Sequence, residues 1–492
     1  MTEPAPALAH RVDAVLTADP ARVVARLFLP GEEFPRGRSR AGAVVDRVLA
    51  LDEAEVTALA AQLTTDFAAR HGDYTATLDE HAAMVRSHVR QPGLLSRART
   101  VVLGATFTAE FAVEGAALCN PSAVLHEDQT GVQSGQVRVA ISLRGIGEGH
   151  LSSIEFATAV VGPGAEWRFE PRQQPAVAGL TTTSQWRREH LRAVLTDQGG
   201  LDELAHSVLA GLPDSFTDDA LQQSIEAHHE LLTRPGALAT VALLRRLVAS
   251  AYEVRFPPDV GLSQQVLLPA AADESHGMED ARFVRFVGAD GVAEYRATYT
   301  AYDGRQIAPR LLVSPDLRKF SAQRLAGPAA RNKGMALFPR LIGGRHLALC
   351  RSDGESTSLA SSPDGVVWGD AQLIQEPAAA WELLQVGNCG PPIETDRGWL
   401  VLTHGVGPLR TYSIGALLLH IDEPTRVIGR LRRPLLRPAP DEREGYVPNV
   451  VYSCGGLVHD GRLWLPYGIG DARVGVAWAS MQELLDELVL CS

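Results

Sequence analysis

Carboxylates, amides and cations recur at matching points along this 492-residue chain, a mixture suited to a polyhydroxylated ligand. Asn120 lies in LCNPSAVLH, and Glu279, Asp280 and Arg282 lie in GMEDARF. Asn332 and Lys333 lie in RNKGMALFP, and Asn388 and Glu394 lie in GNCGPPIET. Tyr446 and Asn449 sit in GYVPNVV, and Asp471 ends PYGIGD. Asp303, next to the strand-like run AEYRATYTAY, Arg351 and Glu355 in LALCRSDGES, and His404 in LTHGVG are further candidates. Sugar hydroxyls need many donors and acceptors, and a buried carboxylic acid can protonate a leaving oxygen.

Each candidate has a plain structural alternative. Asp280 could pair with Arg282 or Arg285, and Glu394 with Arg397 or Lys333. Glu355 could be a solvated loop residue, Asp471 a turn aspartate and His404 a strand-end histidine. Lys333 and Arg351 could join neighbouring sheets as ion pairs. His126 and His150 lack a third ligand at metal spacing, and the adjacent His228 and His229 point to different helix faces, so no catalytic metal is expected.

The elements that must bring these residues together are repeated hairpins. Their first strands are ARFVRFV (281–287), KGMALFPRLI (333–342), GPPIET (390–395) and PNVVYSCGGLVH (448–459). Their partners are AEYRATYTAY (293–302), RHLALCR (345–351), GWLVLTHGV (398–406) and RLWLPYGIGD (462–471). Asp290-Gly291, Gly343-Gly344 and Asp460-Gly461 are hairpin turn signals. The period of about 50–60 residues fits propeller blades, and the β-rich stretch 101–175 supplies a fifth unit. The expected fold is mainly β, a five-bladed β-propeller, with a two-sheet sandwich as the alternative. Equivalent positions of successive blades would then converge at one end of a central channel.

Two regions depart from this texture. Residues 1–100 read as a helical N-terminal domain, with Asp52-Glu53 at a helix start. Within the catalytic region 101–492, residues of about 184–252 read as a helical insertion. Either helical part could form a homo-oligomer interface or a pocket rim.

The formal net charge of −12 disfavours nucleic acid as a partner. Five cysteines without a C-x-x-C pair argue against a disulfide framework or thiolate zinc site. The start MTEPAPALAHRVDAVL has no signal-peptide pattern, and no apolar run is long enough for a membrane span, so a cytoplasmic location and no membrane partner are expected.

The runs GMEDARF, NKGMALFP, GNCGPPIETDRGWLVLTHGVG, YVPNVVYSCG and PYGIGD, in this order, resemble glycoside hydrolase family 130. NPSAVLH with SLRGIGEGHLSSIEF is similar to the first blade of longer members, so the resemblance spans roughly residues 100–475. It implies an inverting enzyme on a five-bladed propeller, either a β-mannoside phosphorylase or a β-1,2-mannosidase. It places the general acid at Asp280 and a sugar contact at Asp471. In phosphorylases of the family the proton is thought to pass through the mannose O3 hydroxyl. Phosphate would be held by a Lys, Arg and His cluster, of which Lys333 and Arg351 are present. Cys350 stands where a His is expected, and Glu394 where a basic residue is common.

Extra carboxylates repel phosphate and can orient water. The leading expectation is therefore an inverting hydrolase of β-1,2-linked manno-oligosaccharides, with Glu355 or Glu394 as base. The base and the acid would lie about 6.5–9.5 Å apart. A β-mannoside phosphorylase is the alternative, with inorganic phosphate as co-substrate and no other cofactor. A non-catalytic glycan-binding propeller is the third reading.

Overall fold

Strands with buried faces dominate the chain, because short apolar runs alternate with Gly- and Asp-bearing turns. The computed structural model describes residues 8–31, 33–34, 38–88 and 95–490. Among them the protein is mainly β, with four larger sheets of five, twelve, four and six strands, and no sheet closes on itself.

The four expected hairpins all form as antiparallel pairs. Gly277–Val287 pairs with Ala293–Tyr302, and Ala336–Leu337 with His346–Cys350. Ile393–Thr395 pairs with Gly398–Val406, and Leu457–His459 with Arg462–Ile469. The first hairpin shares the twelve-stranded sheet with Ala117–Leu125, Val137–Ile146 and Ser152–Gly162, the β-rich stretch seen in the sequence. The architecture thus holds four larger sheets rather than the two of a sandwich.

The insertion forms helices Arg188–Asp197, Glu203–Ala210, Asp218–Ala227 and Ala237–Val248. They bury Leu191, Leu209, Leu221 and Leu244 in a core of their own. His228 Nδ1 lies 2.8 Å from the Ser224 carbonyl, an ordinary helix-end contact.

Residues 1–100 are not helical throughout. Ala9–Thr17 is a strand paired antiparallel with Arg473–Ser480, and its side chains alternate in exposure. Val23–Leu27 pairs with Thr108–Ala112. Helices follow at Arg40–Ala50, Glu53–Phe67, Tyr74–Met84 and Arg97–Thr106. Asp52 caps the second of these by accepting from the Glu55 N–H at 2.7 Å. Gly104 lets the last helix press against the backbone of Leu78, where an added Cβ would lie 2.1 Å from the carbonyl oxygen.

Cys119, Cys350, Cys389 and Cys454 are buried and unpaired, and Cys491 lies outside the described residues. No helix among the described residues is long and apolar enough to cross a membrane.

Candidate functional site

Two backbone bulges build the centre of the site. The strand register breaks between Cys119 and Ser122, and again between Glu279 and Arg282. At these breaks Asn120 (φ 50°) and Asp280 (φ 58°) adopt the left-handed conformation, which short polar side chains tolerate best. A bulge re-aims a side chain that strand alternation would send elsewhere. Here the two meet, with Asn120 Nδ2 donating to Asp280 Oδ1 at 2.6 Å. Asn332, Asn449 and Asp471 share the same backbone conformation.

Around this pair lies a cavity of about 210 Å³. Eight sequence-predicted residues line it: Asn120, Asp280, Arg282, Lys333, Arg351, Asn388, His404 and Asp471.

The cations differ in how far they are committed. Arg282 is a buried strut, donating to the carbonyls of Cys389 and Asp280 and to the Tyr452 hydroxyl, each at 2.8 Å. Arg144 Nη2 donates to Glu279 at 2.7 Å, and Lys333 Nζ donates to the other oxygen of Glu279 at 2.5 Å. Arg351 instead donates to His404 Nε2 at 2.8 Å, and among the described residues it has no carboxylate partner. His404 lies in a stack with Tyr412 and edge-on to Tyr452. Burial, then Arg351 and Arg282, holds its imidazole well below the usual histidine range, so the ring is neutral.

The two carboxylates are driven apart. Burial would raise Asp280, but Arg144, Arg282, Lys333 and the Asn120 hydrogen bond outweigh it, leaving the carboxyl below its usual range. Burial pushes Asp471 up to about 6, and the negative charge of Asp280 adds to this. Asn120 Oδ1, Asn388 Oδ1, Arg351 Nε and His404 Nδ1 are buried without a hydrogen-bond partner among the described residues. Four such atoms at one cavity are what a hydrogen-bonding ligand would satisfy.

The remaining predicted residues lie elsewhere. Glu394 is half-exposed and receives both Arg340 Nε (2.9 Å) and Nη2 (2.6 Å) at an outer groove, so neither Arg397 nor Lys333 is its partner. Glu355 is exposed and does not line the cavity. Asp303 caps a turn by accepting from the N–H groups of Arg305 and Gln306. Asp303 and Asn332 both line a second hollow, under the helical insert. Tyr446 is half-exposed and hydrogen-bonds His150 at 2.9 Å. Cys350 is fully buried in an apolar cluster, and the imidazole at the cavity comes from His404. No group of three or more His, Cys, Asp or Glu among the described residues could hold a metal ion.

Residues 261–489 match a family model described as beta-1,4-mannooligosaccharide phosphorylase, the model of glycoside hydrolase family 130. The chain is 34% identical over 230 residues to a 1,2-beta-oligomannan phosphorylase of Thermoanaerobacter sp. (strain X514), covering 45% of this chain and 75% of that protein. The chain belongs to glycoside hydrolase family 130. A beta-1,2-mannobiose phosphorylase of the same organism is 33% identical over 216 residues, 43% of this chain and 70% of that one. Among solved structures, the Listeria innocua beta-1,2-mannobiose phosphorylase with beta-1,2-mannobiose aligns at a TM-score of 0.44 and 20% identity, over 77% of this chain and 93% of that one.

Within this family-130 chain, sequence reasoning passed over Arg144, Gln385, Arg410, Tyr412 and Tyr452, all of which line the cavity. Arg144 and Tyr452 stand inside quoted runs, SLRGIGEG and YVPNVVYSCG, so the signal was present but unused. Gln385 is three residues before Asn388, and Tyr412 opens the strand after His404.

Proposed function

We propose that this protein is an inverting β-mannoside phosphorylase acting on β-1,2-linked manno-oligosaccharides. One observation carries the reading: Arg351, whose one hydrogen bond among the described residues goes to the neutral His404, faces the same cavity as Asp280, while neither Glu355 nor Glu394 does. An arginine without a counter-ion suits a phosphate, whose oxygens match its planar fork. Lys333, Arg410 and Tyr412 add donors beside it. A hydrolase would instead need a second cavity carboxylate to activate water; Asp471 is the one beside Asp280 among the lining residues, and it serves as a sugar contact.

In this reading a phosphate oxygen attacks the anomeric carbon from the face opposite the leaving sugar. The C1–O glycosidic bond breaks, and the proton of Asp280 passes to the departing oxygen through the mannose O3 hydroxyl, the route the family implies. The products are α-mannose 1-phosphate and the shortened sugar. Its cations hold Asp280 as a carboxylate. A bound phosphate offsets those charges and raises the carboxyl toward the protonated form it needs. Asn120, Asn388 and Asp471 supply contacts to the sugar hydroxyls.

The same proposal treats the sheets as five blades around the cavity, with Ala9–Thr17 joined to Arg473–Ser480 linking the two ends of the chain. The four helices within residues 40–106 stand apart as a unit with an apolar core of their own, while Ala9–Thr17 belongs to the blades. Action in the cytoplasm is supported by the four unpaired buried thiols.

Incubation with β-1,2-mannobiose, with and without phosphate, tests the function by phosphorus NMR. Mannose 1-phosphate formed only with phosphate is the expected outcome. Equal release of free mannose in both conditions would establish the hydrolase.

A further inference from the structure

The hollow between the helical insert and the twelve-stranded sheet measures about 910 Å³, at the upper end of the roughly 300–1,000 Å³ of small-molecule sites. One wall is the helix Ala237–Val248. Its residues Ala239, Ala242, Leu243 and Arg246 follow at helical spacing, so two small side chains leave room beside an arginine on one face. Arg305, Arg324 and Arg331 line the hollow from the sheet side.

Three of these four arginines form no ion pair among the described residues. The hollow has two carboxylates of its own, both hydrogen-bonded to backbone N–H groups and outnumbered by its four arginines. Asp197 Oδ2 accepts from Gly327 N at 2.6 Å, and Asp303 Oδ1 accepts from Arg305 N and Gln306 N at 2.8 and 2.6 Å. Arg324 shares Asp273 with the buried Arg310. Among the described residues the guanidinium groups of Arg305 and Arg331 have no hydrogen-bond or ion-pair partner, and Arg246 has no carboxylate partner. Burial, reinforced by Arg310, holds Arg324 below the usual arginine range despite Asp273, so added negative charge is favourable there.

We infer that this cleft is a second ligand site, for a sugar phosphate, with the phosphate group between Arg246, Arg305 and Arg331. Arginine forks match phosphate oxygens two at a time, whereas a neutral sugar would leave the charges uncompensated. The space far exceeds that of a free phosphate ion, and Gln306 and Asn332 can meet sugar hydroxyls. Asn332 also ties the cleft to the catalytic cavity: its Oδ1 accepts from the N–H of Lys333, which lines that cavity, at 2.8 Å. The helical wall precedes the residues matched by the family model. The inference does not rest on the reading of the catalytic cavity.

The test is calorimetric titration of the full chain carrying Arg351→Ala, which removes the free arginine of the catalytic cavity. Mannose 1-phosphate and inorganic phosphate are the probes. Mannose 1-phosphate should bind more tightly than inorganic phosphate, and adding Arg305→Ala with Arg331→Ala should weaken it at least about tenfold. Unchanged affinity after the double substitution, or no binding in the Arg351→Ala protein, would overturn the site. Equal affinity for both probes would overturn its assignment to a sugar phosphate.

Discussion

In the cavity at the strand starts, Asp280 and Asp471 keep their carboxylates on ligand space; in the cleft under the helical insert, Asp197 and Asp303 give theirs to backbone N–H groups. Both hollows are rich in arginine. The cavity therefore holds carboxylates facing ligand space beside its cations, while the cleft's two carboxylates are turned to backbone N–H groups and its four arginines outnumber them. Acid catalysis needs a titratable group that faces the ligand, and binding an anion does not.

The contrast breaks most severely at Asp280. Replacing it by Asn should lower turnover of β-1,2-mannobiose by about 10²–10⁴-fold with the fold retained by circular dichroism. A comparable loss from Asp303→Asn would erase the distinction between the two hollows.

Arg351→Ala should raise the phosphate concentration for half-maximal rate by about 10–100-fold, since a hydrogen bond to a charged group contributes about 1.5–3 kcal/mol. The Michaelis constant for mannobiose should move far less. Steady-state kinetics at varied phosphate separates the two.

Gly387→Ala probes the same pair from behind. A Cβ there would lie 2.7 Å from His404 Cε1 and 3.0 Å from Arg351 Cδ, so the pair must shift. A several-fold rise in the phosphate requirement is expected, smaller than that of Arg351→Ala.

Asp471 sharpens the electrostatic side. Its folded pKa, about 6, lies above the unfolded value, so its stabilising contribution is present at low pH and lost as pH rises through about 6. Thermal melts of the ligand-free protein should show this slope, and Asp471→Asn should flatten it.

The smallest effect belongs to Glu394. Its exposed pair with Arg340 contributes about 0–1 kcal/mol, so Glu394→Gln should leave turnover within about twofold. A loss as large as that of Asp280→Asn would return Glu394 to the chemistry.

Much of this was legible in the sequence. Hairpin turns such as Asp290-Gly291 and Asp460-Gly461 marked the paired strands, and the ordered motifs led to Asp280, Lys333 and His404. The bulges were not legible. GMEDARF reads as plain alternation, and only the positive φ at Asp280 turns its carboxylate to Asn120. Strand pairing across the chain was hidden as well. HRVDAVL has the composition of a helix, yet its partner lies more than 450 residues later, at Arg473–Ser480. Glu394 misled because its type suited a base, while its place beside Arg340 depended on packing between two hairpins. Tyr446 was chosen over Tyr452 because a one-dimensional reading cannot tell which tyrosine of that segment faces inward.

The nucleophile is the central claim, and oxygen-18 water tests it most directly. With β-1,2-mannobiose and unlabelled phosphate in labelled water, mass spectrometry should find unlabelled mannose 1-phosphate as the first product. Mannose carrying oxygen-18 at its anomeric carbon, without mannose 1-phosphate, would contradict the account.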